Sequence, residues 1–306
     1  MVQIRHVLCP VDFSDPSRRA LEYALTLARW YGARLTALHV VPATLPPLSS
    51  LGVSTSQALE PHVRERLRED LLEELRRFSP PEAKKIQMDA VVREGDTAAE
   101  IVRETRSGAD LAVLGSHGRS GVERGLLGSV TEKVLRKAAC PVLTVPHHAE
   151  GTGRGTPPVF RRILCAVDFS EASLRALEHA LSFAEEAGGR VTLLHVVDGS
   201  AAEAPAGSDR LTMGEYRGAR EADARKRLDT LVPPAAREWC EPEAVLAAGT
   251  PYREILRVAE ERSADLIAMG VHGKSALGAL FFGSTANQVV RAAACPVLTT
   301  RSPQKA

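Results

Sequence analysis

A strong charge of either sign, a long apolar run and a paired-cysteine motif are all missing from this chain, and each absence closes off a class of function. Its 306 residues carry 39 Lys and Arg against 38 Asp and Glu, a formal net charge of +1. So weak a field points to neither nucleic acid nor a membrane surface as partner. No apolar stretch approaches the ~20 residues that a bilayer-spanning helix needs. Met1-Val2-Gln3-Ile4-Arg5 leads straight into an apolar segment without the layout of a secretion signal, so a cytoplasmic location is expected. The five cysteines, Cys9, Cys140, Cys165, Cys240 and Cys295, contain no CxxC pair, and an odd number is no disulfide framework. Four lie in or beside apolar runs such as VLCPV and KAACPVLTV. The expectation is reduced, buried thiols acting as small hydrophobes rather than a metal site.

What is present is written twice. Hydrophobic content of 44% and charged content of 25% suit a globular chain long enough for two domains. VLCPVDFS at Val7–Ser14 returns as ILCAVDFS at Ile163–Ser170, and RLTALHVV at Arg34–Val41 as RVTLLHVV at Arg190–Val197. ADLAVLG at Ala109–Gly115 returns as ADLIAMG at Ala264–Gly270, and AACPVLT occurs at both Ala138–Thr144 and Ala293–Thr299. The offset stays at 155 or 156 residues, which marks a duplicated domain rather than a solenoid repeat. The expected division is a first domain over residues 1–146, a Gly- and Pro-rich linker over 147–160, and a second domain over 161–306. Two further loose stretches, from Pro42 and from Asp198, follow the second strand of their own half.

Within the first half, apolar runs at residues 6–11, 34–41, 86–92, 109–114 and 141–145 predict five strands. Being mostly continuous rather than alternating, they suit parallel strands covered on both faces. Amphipathic segments lie between them. Leu21, Leu25 and Ala28 share one helical face, and Val63, Leu67, Leu71 and Leu75 another. Ser14-Asp15-Pro16 and Ser170-Glu171 supply helix-start chemistry. The fold class expected is α/β: two tandem Rossmann-like, doubly wound domains, each a five-stranded parallel sheet with helices on both faces.

GSHGRSGVERGLLGS, Gly115 to Ser129, and GVHGKSALGALFFGS, Gly270 to Ser284, share one spacing: Gly, two residues, Gly, nine residues, Gly-Ser. In such sheets ligands bind beyond the carboxyl ends of the strands where the strand order reverses. If the chain starts mid-sheet, the first strand, ending at Val11-Asp12, lies beside the fourth, which runs into Gly115. Gly115 and Gly118 would then let backbone approach a phosphate. Gly128-Ser129 would open a helix whose free N–H groups favour an anion, with Gly270, Gly273, Gly283 and Ser284 doing the same in the second half.

This glycine spacing, the VDFS start and the CPVL finish resemble the universal stress protein family, over nearly the whole chain as a tandem pair. The resemblance implies binding of ATP, with magnesium, in each half. In the first half it implies a site of Pro10, Asp12, Val40, Gly115, Gly118, Arg119, Gly128, Ser129 and Val130. In the second it implies Ala166, Asp168, Val196, Gly270, Gly273, Lys274, Gly283, Ser284 and Thr285. Asp12 and Asp168 would contact the ribose or a metal-bound triphosphate, main chain near Val40 and Val196 the adenine, and the glycine loops the phosphates. It also implies pairing of the domains through their last strands, residues 141–145 against 296–300. A homodimer and an unidentified protein partner stay open.

Other readings stand beside these. Asp12 and Asp168 are also plausible turn or cap residues. His117 and His272 sit in the glycine loops, either as phosphate donors or in solvent, whereas His39 and His195 read as packed. Arg119 and Lys274 either neutralise phosphate or face water, and Arg136 and Arg291 read as structural. AMGVHGKS, Ala268–Ser275, mimics a Walker A motif but lacks the helix that should begin at its Lys-Ser. No base–nucleophile pair is visible, so the expectation is nucleotide binding with slow or no hydrolysis, in a stress-response regulator. The alternatives are an interaction module that binds no nucleotide, and an ATP-consuming enzyme of the adenine-nucleotide α-hydrolase type. The second lacks support because neither CPVDFSDPS nor CAVDFSEAS has paired glycines.

Overall fold

The computed structural model describes residues 2–42, 61–116, 127–146, 160–197, 210–240, 242–271 and 282–302. The chain divides into two compact units, Gln3–Pro158 and Val159–Ala306, the latter with Met1–Val2. The first unit runs β1 (His6–Pro10), α1 (Asp15–Tyr31), β2 (Arg34–Val41), α2 (Pro61–Phe78), β3 (Met88–Glu94), α3 (Thr97–Arg106), β4 (Leu111–Gly115), α4 (Ser129–Lys137) and β5 (Val142–Val145). The second repeats it with β6 (Arg162–Ala166), α5 (Glu171–Ala187), β7 (Arg190–Val197), α6 (Arg210–Leu231), β8 (Glu243–Ala248), α7 (Pro251–Glu261), β9 (Leu266–Gly270), α8 (Ser284–Ala292) and β10 (Val297–Thr300).

Within the first unit the strands lie in the order β3-β2-β1-β4-β5, and within the second β8-β7-β6-β9-β10. The neighbouring pairs β1–β2, β1–β4, β2–β3 and β4–β5 are parallel, as are their counterparts in the second unit. The doubly wound arrangement expected from the apolar runs is therefore present, with the order reversing between β1 and β4 and between β6 and β9. Continuous burial accounts for the continuous runs: Val7, Leu8, Cys9, Leu111, Ala112 and Val113 are wholly inaccessible. Residues pointing to either face of these central strands meet a helix.

Helix starts follow the local chemistry. Ser14 accepts from Ser17 N–H at 3.3 Å to cap α1, and Ser170 does the same for α5 from Ser173 at 3.2 Å. Pro16 stands in the first turn of α1, where its missing N–H costs no helical bond. Leu21, Leu25 and Ala28 are buried as their spacing predicts. The stripe on α2 is only half realised. Leu75 and Phe78 are buried, but Leu71 is half-buried and Leu67 is 39% exposed. Among the described side chains of this 18-residue helix burial is confined to the C-terminal turns, and Val63 lies outside the side chains described, so helical period alone overstates the buried face seen. Phe160 also departs from its assignment to the linker. It is 1% exposed and stacks on Phe183 of α5, with ring centroids 5.6 Å apart.

The cysteines are all reduced. Burial pushes the Cys9 and Cys165 thiols far up and raises Cys140 and Cys295 to about 12, so none is a ready nucleophile. Among the described residues no group of three or more His, Cys, Asp or Glu gathers as a metal site.

His179, on the buried face of α5, is held at about 4, chiefly by desolvation and secondarily by Arg175. Its ordinary value is 6.5, so the unfolded chain binds the extra proton first. This contribution is full above pH 6.5 and is lost as pH falls toward 4, up to about 3 kcal/mol. Urea titrations at pH 7 and pH 4.5 should therefore show a smaller loss of stability on acidification for His179→Leu than for the unaltered chain.

Candidate functional site

The crevice where the strand order reverses is built from two turns. At the end of β1, Val11 N–H donates to Leu38 O at 2.8 Å, and the chain then turns sharply into α1. The Asp12 carboxylate accepts from Ser14 N–H at 3.1 Å and from Ser14 Oγ. Between them Phe13 takes a left-handed conformation, φ 63°. The second half repeats every part: Asp168 accepts from Ser170 N–H at 3.0 Å and from Ser170 Oγ, and Phe169 has φ 62°. A bulky residue with positive φ costs on the order of 1–3 kcal/mol and persists only where its surroundings hold it.

Those surroundings include an imidazole that the sequence reading treated only as packed. His39 of β2 donates from Nδ1 to Val11 O at 2.7 Å, and its ring lies 4.6 Å from that of Phe13. His195 of β7 does the same to Val167 O at 2.7 Å, with Phe169 4.7 Å away. Since a carbonyl can only accept, Nδ1 carries the proton in both rings. The signal was available, because the same His recurs one strand away from the same VDFS turn. What was missing was the parallel register that brings residues 28 apart into contact. The outer face of the phenylalanine differs between halves. Phe78 meets Phe13 edge-on at 5.5 Å, whereas the Arg227 guanidinium lies 3.9 Å over Phe169.

The second turn leaves β4. Ser116 N–H donates to Val145 O at 2.8 Å, and Gly128 N–H returns to Ser116 O at 2.9 Å, so the two ends of the glycine loop meet. In the second half Val271 N–H donates to Thr300 O and Gly283 N–H to Val271 O, at 2.8 and 3.0 Å. Helices α4 and α8 begin on Gly128 and Gly283, and no side chain caps either start. Among the described residues no side chain accepts from the first-turn N–H groups of Ser129 and Val130, or of Ser284 and Thr285.

Gly115 brings the two turns together. A Cβ there would lie 3.1 Å from the Pro16 backbone, and one on Gly270 would lie 2.9 Å from Ala172 Cβ and Ser173 N. The first glycine of each motif thus admits the first turn of α1 or α5 against the end of β4 or β9. Pro10 and Ala166 end the central strands, half-buried, while Val40 is buried and Val196 half-buried near the ends of β2 and β7. Gly118, Arg119, Gly273, Lys274, His117 and His272 lie outside the described residues, as do most residues of both loops. Arg136 pairs with Glu132 at 2.7 Å on the exposed side of α4.

The sequence profile of the universal stress protein family matches residues 3–146 and again 160–301. The chain belongs to the universal stress protein family. A universal stress protein of Methanocaldococcus jannaschii, MJ0531, is 33% identical over 149 residues, covering 48% of this chain and 85% of that protein. Universal stress protein Rv2005c of Mycobacterium tuberculosis is 34% identical over 219 residues. That match covers 67% of this chain, which spans 65% of the mycobacterial protein. Among solved structures, a universal stress protein from Archaeoglobus fulgidus superposes with a TM-score of 0.69 at 25% identity, over 98% of this chain and 100% of that one. This universal stress protein therefore carries the family fold twice, as a member of a group of stress-response proteins.

The close approach at the motif glycines sets a graded expectation. Gly270→Ala should lower stability by about 1–3 kcal/mol, because the neighbour in conflict is backbone and not a flexible side-chain tip. Gly115→Ala, with 0.2 Å more room, should cost less. Thermal denaturation of the two variants against the unaltered chain checks the order.

Proposed function

We propose that each half binds one adenine nucleotide, ATP with magnesium, at the crevice between its Asp-Phe-Ser turn and its glycine loop. The observation that carries this reading is the repetition. In both halves a strained acidic turn leads into a helix packed on the end of β4 or β9, the strand from which the glycine loop departs, although the surrounding letters have diverged. The donor set suits phosphate: first-turn N–H groups at Ser129 and Val130, or Ser284 and Thr285, the Ser129 and Ser284 hydroxyls, and the glycine-loop backbone at Gly118 and Gly273. Arg119 and Lys274, from their place in the motif, would add positive charge to this set. In this reading Asp12 and Asp168 would contact the ribose or the metal-bound triphosphate, the main chain near Val40 and Val196 the adenine, and Pro10 and Ala166, at the ends of the central strands, would join the same site. When bound, the magnesium would offset triphosphate charge.

In this reading the chemistry lies mainly in binding and in the conformation it selects, with slow or no hydrolysis, since no base–nucleophile pair is visible in the sequence. Each unit's strand order ends on a short last strand, β5 or β10, and pairing of these two strands is our proposal for how the halves associate. A loaded state of this kind is suited to recognition by a protein partner in a cytoplasmic stress response. The second reading, an interaction module without nucleotide, is favoured by the Ser14 and Ser170 contacts, which already employ Asp12 and Asp168 in the turns.

Calorimetric titration with Mg-ATP separates the two readings. Two sites per chain are expected, with Asp12→Ala and Asp168→Ala each removing one. No heat, together with no retention of labelled ATP, overturns the nucleotide reading and leaves the interaction module.

A further inference from the structure

The second half holds a cavity of about 240 Å³ at the opposite end of its sheet from the crevice, where β6, β7 and β8 begin. Arg162 and Arg190, partners in the β6–β7 register, line it with Thr192, Glu243, Glu261 and Arg262. The duplication supplies an internal reference. In the first half the register partners are His6 and Arg34, and Thr36 stands where Thr192 stands. The His6 ring is 8% exposed, with Nε2 2.8 Å from Thr36 Oγ1 and Nδ1 3.2 Å from both the Arg34 guanidinium and Gly108 O. That imidazole fills the space and occupies both polar groups.

At position 162 the ring is replaced by an arginine whose Nε donates away, to Ser263 O at 2.6 Å. Two polar groups lose their partner as a result. Thr192 is 7% exposed, and its hydroxyl makes no hydrogen bond among the described residues. The Arg190 guanidinium meets neither a hydrogen-bond nor an ion-pair partner among them. The acidic groups nearby are already engaged: Glu243 with Arg262 at 2.6 Å, Glu261 with Arg257, and Asp265 with the backbone N–H groups of Arg161 and Arg162 at 2.9–3.0 Å. What remains is a surplus of cationic fork donors around the hydroxyl of Thr192, a residue that lines the cavity.

We propose that this cavity is an oxyanion site confined to the second half, taking a compact phosphate group between Arg162 and Arg190 with the Thr192 hydroxyl as a further donor. Guanidinium forks match tetrahedral oxyanions in geometry as well as charge, which a lone surface lysine does not. The first half cannot take the same ligand, because His6 occupies the place.

Titration of the full chain with inorganic phosphate tests this. The expected result is saturable binding that weakens by at least about tenfold in Arg190→Ala and disappears in Arg162→His, which restores the arrangement of the first half. Arg34→Ala should leave binding unchanged. Circular dichroism establishes that the variants fold, and Arg190→Gln replaces Arg190→Ala if the latter does not. Absence of saturable binding overturns the proposal. So does binding that survives both Arg190→Ala and Arg162→His, which is the behaviour of phosphate held in the glycine crevice.

Discussion

Each half depends on one close approach, that of the first turn of a helix to the last residue of the fourth strand. Pro16 can sit against Gly115, and Ala172 against Gly270, only because no Cβ intervenes. That contact holds the start of α1 beside the end of β4, so the chain leaving β1 must reverse within three residues. The reversal is what places Phe13 and Phe169 in the left-handed region. The strain is offset by local bonds: the aspartate to the serine, the serine to the helix, and the imidazole of the neighbouring strand to the carbonyl ahead of the turn. Loosening any of these would free the turn from the end of β4 or β9.

The duplicated architecture makes divergence readable. Every element of the acidic turn is repeated, down to the two His–carbonyl bonds, as expected where a common ligand or a common strain must be accommodated. Around it the halves differ. Ser116 is matched by Val271, Thr131 by Ala286, and the ring packed on Phe13 by a guanidinium over Phe169. At the far end of the sheet, exchange of His6 for Arg162 converts a filled, satisfied space into a cavity with unpartnered donors. The two halves thus keep the acidic turn alike at one end of the sheet and differ at the other.

Much of this was legible in the residues before any coordinates. The apolar runs around Leu8, Leu38 and Val113 predicted central parallel strands, and Ser14 and Ser170 predicted the helix starts, because strand burial and helix capping depend on neighbours within a few positions. The glycine spacing marked a candidate site, and the repeated aspartate its proposed other wall. The same local logic overstated the core of α2, where Leu67 follows the helical period yet lies beyond the sheet, and it placed Phe160 in a linker because composition says nothing of a ring finding Phe183.

Sequence alone therefore determined the duplication, the alternation of strands and helices, the caps and the two candidate crevices, all of which rest on spacing along the chain. Tertiary structure alone decided that His39 and His195 brace the strained turns, that the first motif glycine serves helix packing, and that Thr192 opens onto a cavity where Thr36 does not. Each of those outcomes depends on parallel register, which sets side by side residues about 28 positions apart whose relation no local pattern records.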